Sequence, residues 1–195
     1  MQLGMNLSQS HFDEMYASVA GDVRSHYASY ARWLASKSPE FMSDMCAEAE
    51  VIFRRVGITF AVYGDQDGGT DTERLIPFDP VPRVISASDW DALERGLVQR
   101  VTALNRFLHD IYHDQDLIRA GVMPAEPVLQ SAQFRAEMIG VDVPGQIYSH
   151  ISGIDVVRAG AADDAGTYYV LEDNLRVPSG VSYMLENRKM SMRLF

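Results

Sequence analysis

YVLEDNLRVPSG, residues 169–180, starts as an apolar strand and then runs acid, acid, amide, arginine, proline, glycine. Side chains alternate between the two faces of a strand. Glu172 and Asn174 therefore share a face with Tyr168 and Val170, and Asp173 points the other way. Upstream, QIYSHISGIDVVR and GTYYVLEDN are two strand candidates joined by AGAADDAG, whose small and turn-forming residues favour an antiparallel hairpin. Such a hairpin would bring Asp155 beside Glu172 and Asn174.

Two carboxylates and an amide carbonyl form a hard-oxygen set suited to magnesium and ill suited to zinc or copper. The same residues have ordinary uses. Asp155 could cap a turn, Glu172 could pair with Arg158 or Arg176, and Asn174 could bond backbone at the strand end. Downstream, Pro178 fixes the approach to a turn, Ser179 is a capping residue and Gly180 permits close backbone approach. A helix over residues 181–190 would then open with free N–H groups suited to a phosphate or carboxylate. Arg176 carries planar donors able to clamp an acyl-phosphate or substrate carboxylate; its plainer role is a surface ion pair.

The 195 residues suffice for one substantial core or two small ones. The charge of -10, from 27 acids against 17 Lys and Arg, argues against a broad nucleic-acid or anionic-membrane surface. No stretch is long and apolar enough to span a membrane, and a cytoplasmic setting is expected. The single cysteine, Cys46, reads as a buried structural thiol within a helix, and no zinc site is expected from it.

Residues 9–35 suggest one or two amphipathic helices broken near Gly21, with Phe12, Tyr16, Tyr27 and Trp33 packing. Pro39 after Ser38, and Gly57 beyond Val56, bound a clear helix. ITFAVYG reads as a strand, GDQDGGTD as a turn, and the proline-interrupted TERLIPFDPVPRVIS as extended chain. The strongest helix is SASDWDALERGLVQRVTALNRFLHDIYH, with Trp90, Leu93, Leu97, Val101, Leu104, Leu108 and Ile111 on one stripe and Ser88 with Asp91 as its start signal. DQDLIRAG adds a last helical turn or a short helix before Gly121, VMPAEPVLQ reads as extended, and SAQFRAEMIG as a short helix. His109 and His113 share a helix face four residues apart, but with no third ligand in view they read as a surface or helix-end pair.

VYGD, RLIPFDPVPRVI, LERGLVQRVTALNRFLHDIY, GQIYSH, GIDVVR and YYVLEDNLRVPSGVSYMLENR, in that order, resemble the N-terminal portion of the circularly permuted ATP-grasp type 2 family, related in fold to glutathionylspermidine synthase. The resemblance covers most of residues 10–195. It implies an α/β or α+β fold with a mixed or antiparallel sheet and flanking helices: a helical substrate-side region at about 9–140 and a catalytic hairpin at about 146–190. It also implies ATP-dependent ligation of a carboxylic acid to an amine through an acyl-phosphate, with ATP and Mg2+ as cofactors. Asp155 matches the family's first acid, Glu172 and Asn174 its Glu-x-Asn pair, and Arg176 the adjacent catalytic cation. Arg74, Arg83, His150, Ser179 and Gly180 are possible substrate contacts, the acid being peptide-like or small.

The resembling family continues well past MSMRLF, and there lie its lysine-bearing nucleotide elements. No G-x-x-x-x-G-K-[ST] loop is present in this chain. The expectation is therefore a fragment, inactive alone, whose partner is the missing C-terminal portion and whose exposed apolar surface permits self-association. The alternative is a noncatalytic peptide- or protein-binding module derived from the same fold.

Overall fold

The computed structural model describes residues 12–17, 21–57, 59–61, 73–75, 78–160, 166–178 and 180–194. They form two compact units. The first combines Met1–Ser86, Arg158–Thr167 and Ser179–Phe195; the second combines Ala87–Val157 and Tyr168–Pro178. VYGD, the turn GDQDGGTD, Ser179 and the middle of AGAADDAG lie outside the described residues.

The first unit is built on helices α1 (Ala28–Ala35) and α2 (Pro39–Val56) and the antiparallel strands β1 (Thr59–Ala61) and β2 (Glu73–Leu75). Its boundaries follow local chemistry. Ser38 Oγ accepts from Phe41 N at 3.2 Å to cap α2, Pro39 occupies the first turn, and Gly57 closes the helix at φ +74°. Met45, Ala49 and Phe53 recur every four residues and are the buried face of α2. Ala49 and Phe53 pack with Met190 of the last helix of the chain, and Ile52, Leu75, Phe78 and Leu194 surround them. Phe53 meets Phe78 edge-on, centroids 6.1 Å apart. Cys46 is only half-buried.

The aromatic N-terminal stretch holds, among its described residues, one of the one or two helices expected: α1, beyond Gly21. Among its described residues, Tyr16 and Val23 form an isolated antiparallel bridge, Gly21 sits at φ +88°, and helix starts only with a 3-10 turn at Ser25–Tyr27. Side-chain bonding prevails over propensity here. Asp13 Oδ1 accepts from Met15 N and Tyr16 N, each at 2.8 Å, which turns the chain, and Arg24 Nε donates to Asp13 O at 3.0 Å. Of the aromatics, Tyr27 is buried while Tyr16 is exposed.

The second unit is organised by α3 (Ala87–Tyr112), with short helices α4 (Asp116–Arg119) and α5 (Ala125–Leu129) after it. Helix α3 begins one residue before Ser88, so Ser88 lies inside the first turn. The anticipated stripe is real but unevenly covered: Leu93, Leu97, Val101, Leu104 and Leu108 are half-buried, Trp90 is exposed, and only Ile111 and Tyr112 are buried. Around Tyr112 the chain closes on itself. Phe134 stacks on its ring at 5.0 Å, Arg135 N donates to its hydroxyl at 3.1 Å, and Gly140 N donates to its carbonyl at 2.8 Å.

Several local readings change. VMPAEPVLQ contains α5 where extended chain was expected, because Pro124 sits at the cap and Pro127 still falls in the first turn, where no N–H is required of it. SAQFRAEMIG narrows to a 3-10 turn at Ala136–Met138, and QIYSHIS contributes irregular chain in place of strand. The hairpin strands are shorter than drawn from sequence: β3 (Gly153–Ala159) pairs with β4 (Thr167–Asn174) in a two-stranded sheet. Helix α6 (Val181–Leu194) completes the chain and supplies Met190 to the first unit's core.

Candidate functional site

Two segments, the entry to β3 and the exit from β4, converge because of a few polar groups. Asn105, on α3, accepts with one oxygen from Tyr148 N at 2.7 Å and Ser149 N at 2.9 Å, while its amide donates to Val101 O at 3.0 Å. Ser149 is buried at 6% exposure. Its hydroxyl lies 3.2 Å from Ile151 O, 3.0 Å from Ser152 Oγ and 3.0 Å from Leu175 O, joining the chain before β3 to the chain after β4. At Gly153 an added Cβ would stand 3.0 Å from Pro178 Cβ and 3.5 Å from Asn174 Cβ, so the strand start lies close against the chain after β4.

The framework assembles the anticipated trio. Asn174 Nδ2 donates to Glu172 Oε1 at 2.9 Å, as two residues on one strand face should. Glu172 is also the neighbour that acts most on the Asp155 side chain. This contact pushes the Asp155 carboxyl above the usual carboxylate range, with desolvation and the Glu172 charge acting in the same direction. Neighbouring carboxyl groups disfavour charge on each other, an opposition that a cation between them would relieve.

Asp173, on the opposite strand face, has a different partner. Arg100 of α3 binds it through Nε at 2.7 Å and Nη2 at 2.6 Å. That two-point contact draws the Asp173 carboxyl below its ordinary range and raises Arg100. Sequence periodicity separated Asp173 from the trio but gave no hint of Arg100.

The remaining candidates are dispersed. Arg176 is exposed in the bend after β4, and His150 is exposed on a pocket of about 480 Å³ that Arg106, Asn105 and Ser149 also line. Both belong to the second unit with the trio. Arg74, Arg83 and Gly180 belong to the first. Arg74 is opposite Phe60 in the β1–β2 register. Arg83 grips Glu14 through Nε at 2.5 Å and Nη2 at 2.7 Å, so its planar donors already serve a carboxylate of this chain. Gly180 precedes α6 at φ +99°, and its carbonyl accepts the helix's first bond, from Met184 N at 2.8 Å.

A family described as "A circularly permuted ATPgrasp" matches residues 82–195, more than half of the chain and all of the segment that carries the trio. The chain belongs to the circularly permuted ATP-grasp family. Its helices and small two-stranded sheets are part of that architecture. An uncharacterised protein of Synechocystis sp. is 40% identical over 195 residues, all of this chain and 39% of its own length. One of Mycobacterium leprae is 44% identical over 187 residues, 94% of this chain and 31% of its own. A protein of Frankia casuarinae provisionally named glutamate–cysteine ligase 2-2 is 38% identical over 180 residues, 92% of this chain and 20% of its own. The chain thus spans between about a fifth and two fifths of the length of these relatives. No helix among the described residues is long and apolar enough to cross a membrane.

Proposed function

We propose that this chain forms the substrate- and metal-side part of an ATP-dependent carboxylate–amine ligase. The observation that carries the reading is the Asp155–Glu172–Asn174 cluster: hard oxygen donors, gathered at the end of a paired strand, with one carboxyl pushed upward by the other. A divalent cation relieves that mutual opposition, and carboxylate plus amide oxygen is a donor set magnesium accepts. Asp155 and Glu172 would hold the ion and Asn174 would orient Glu172. Bound there, magnesium nucleotide supplies the phosphoryl group and screens its charge.

In this reading a substrate carboxylate oxygen would attack the γ-phosphorus of ATP as its bond to ADP breaks, and the amine would then displace phosphate from the acyl carbon, its proton passing to the released phosphate or solvent. Arg176, exposed beyond the cluster, would stabilise the acyl-phosphate oxygens. His150 and Arg106, on their shared pocket, would meet the acid substrate. The relative named for glutamate–cysteine ligation supports an amino-acid or peptide-like acid, as does the fold resemblance to glutathionylspermidine synthase. The lengths of the relatives support a complete catalytic site that needs chain beyond these residues.

The test uses the full-length protein that contains this sequence. Phosphate release is measured with magnesium and ATP against a panel of amino acids and short peptides, with and without amine acceptors. Magnesium-dependent release requiring both an acid and an amine is expected. Unchanged turnover in Glu172→Ala and Asn174→Ala would remove the site, and a defined peptide ligand bound without nucleotide affinity would replace the ligase with a binding module.

A further inference from the structure

A second group of ligating side chains stands at the C-terminal end of α3, and nothing in the ligase reading uses it. His109 and His113 stack with ring centroids 4.0 Å apart, four residues apart on one helix face. The loop after α5 returns to them and contributes Asp142. One ligand atom from each of the three lies within 4.8 Å of the others.

The hydrogen bonds around the rings decide which nitrogens point into this space. His113 Nδ1 is 2.9 Å from His109 O, an acceptor, so Nδ1 carries the hydrogen and Nε2 of the neutral ring keeps its lone pair. His109 Nδ1 is 3.0 Å from the Tyr148 hydroxyl, which itself donates to Val141 O at 3.3 Å. His109 Nδ1 is therefore also the donor, and its Nε2, 3.3 Å from the Gln146 amide nitrogen, is also an acceptor. Backbone or side-chain oxygens on the far nitrogen are the usual outer partners of metal-bound imidazoles.

This leaves a buried acceptor facing another acceptor. His113 Nε2 is shielded from solvent and makes no hydrogen bond, although Asp142 Oδ1 lies 3.3 Å away. A cation between them resolves the conflict. Tetrahedral coordination at usual zinc bond lengths sets donor atoms about 3.4 Å apart. Asp142 can close the difference, because its side chain is 88% exposed on a loop and can swing.

We propose that His109 and His113, through Nε2, and Asp142, through its carboxylate, bind a divalent first-row transition metal of borderline softness, zinc foremost. Water completes the coordination, and Gln146 adjoins it. Two imidazoles and one carboxylate discriminate against magnesium and calcium, which prefer all-oxygen sites. The ion would clamp the last turns of α3 to the loop at Asp142. The proposal runs against the expectation drawn from the cysteine count, and it is independent of the ligase reading.

The experiment titrates zinc into metal-free protein purified without a histidine tag, by calorimetry and thermal melting, with cobalt as the coloured probe. Expected are one zinc per chain, a raised melting temperature reversed by chelator, a cobalt spectrum of low coordination number, and no competition from magnesium. Asp142→Ala, a change on an exposed loop, abolishes the cobalt spectrum. Tyr148→Phe, which removes only the hydroxyl orienting His109, weakens zinc by about 10- to 100-fold. Glu172→Gln leaves zinc affinity unchanged, which separates this site from the proposed magnesium site. Absence of saturable binding, or affinity unchanged by both Asp142→Ala and His113→Ala in folded protein, overturns the proposal.

Discussion

Glu172 and Asp173 are consecutive acids on one strand, yet they face different partners. Asp173 meets the two-point grip of Arg100 and is drawn below the ordinary carboxylate range. Glu172 meets Asp155, and the pair pushes the Asp155 carboxyl upward. The first arrangement is satisfied within the chain; the second calls for a proton or a cation. The alternation of a strand thus turns one acid to an arginine of this chain and the other to a second carboxyl.

The sharpest way to break this contrast is to neutralise each acid in turn in the full-length protein. Glu172→Gln should cut magnesium-dependent turnover by about 10²-fold or more, the usual scale for a charge-stabilising group. Asp173→Asn should leave turnover within a few-fold of wild type. Equal losses, measured as phosphate release, would show that the two acids do not divide roles.

Next in size is the framework under both acids. Asn105→Ala leaves Tyr148 N and Ser149 N without their acceptor. Unsatisfied groups of this kind cost about 1–3 kcal/mol, so a denaturant melt should move to lower concentration with its slope preserved. If the melt is unmoved, the convergence of strand entry and exit is held by Ser149 alone.

The proton behaviour gives a finer test. A raised carboxyl pKa means that the folded protein holds the proton more tightly than the unfolded chain. The Asp155–Glu172 pair therefore costs stability as pH rises from the ordinary carboxylate value through the raised one. Glu172→Gln should remove that cost, with a slightly higher melting temperature at neutral pH, while carbon-detected NMR follows Asp155 titrating lower. Magnesium should lower the Asp155 titration in the wild type as well.

The smallest effect belongs to Asp173. Its stabilisation is present above the ordinary carboxylate value and fades as pH falls through the lowered one. Arg100 and Asp173 are partly exposed, so Asp173→Asn should lower the melting temperature only slightly, and less at high salt.

The parts legible in sequence are those set by neighbours along the chain. The Ser38 cap, the Gly57 stop, the stripe on α3 and the pairing of Glu172 with Asn174 all follow from periods of 3.6 or 2 and from single-residue backbone chemistry. The brackets between distant segments were not legible. Asn105 reaches Tyr148 across 43 residues and Arg100 reaches Asp173 across 73, and a single sequence carries no mark of which polar residue will find which backbone group. Asp142 escaped notice for the same reason: it comes to the histidine pair through irregular chain, where no period predicts direction. The N-terminal aromatics misled because composition suggested a helix where Asp13 bonds to backbone and turns the chain.

Helix α3 has one further consequence. Its side chains at 100 and 105 hold two different parts of the chain, β4 and the entry to β3, and His109 adds a second contact to Tyr148 at that entry. The helix therefore works as a ruler, its graduations set by an advance of about 1.5 Å and a rotation of about 100° per residue. Inserting one alanine between Arg100 and Asn105 would leave every side chain present and the helix intact. It would nevertheless rotate the marks on either side by about 100° relative to each other, so that strand and loop could no longer be gripped together.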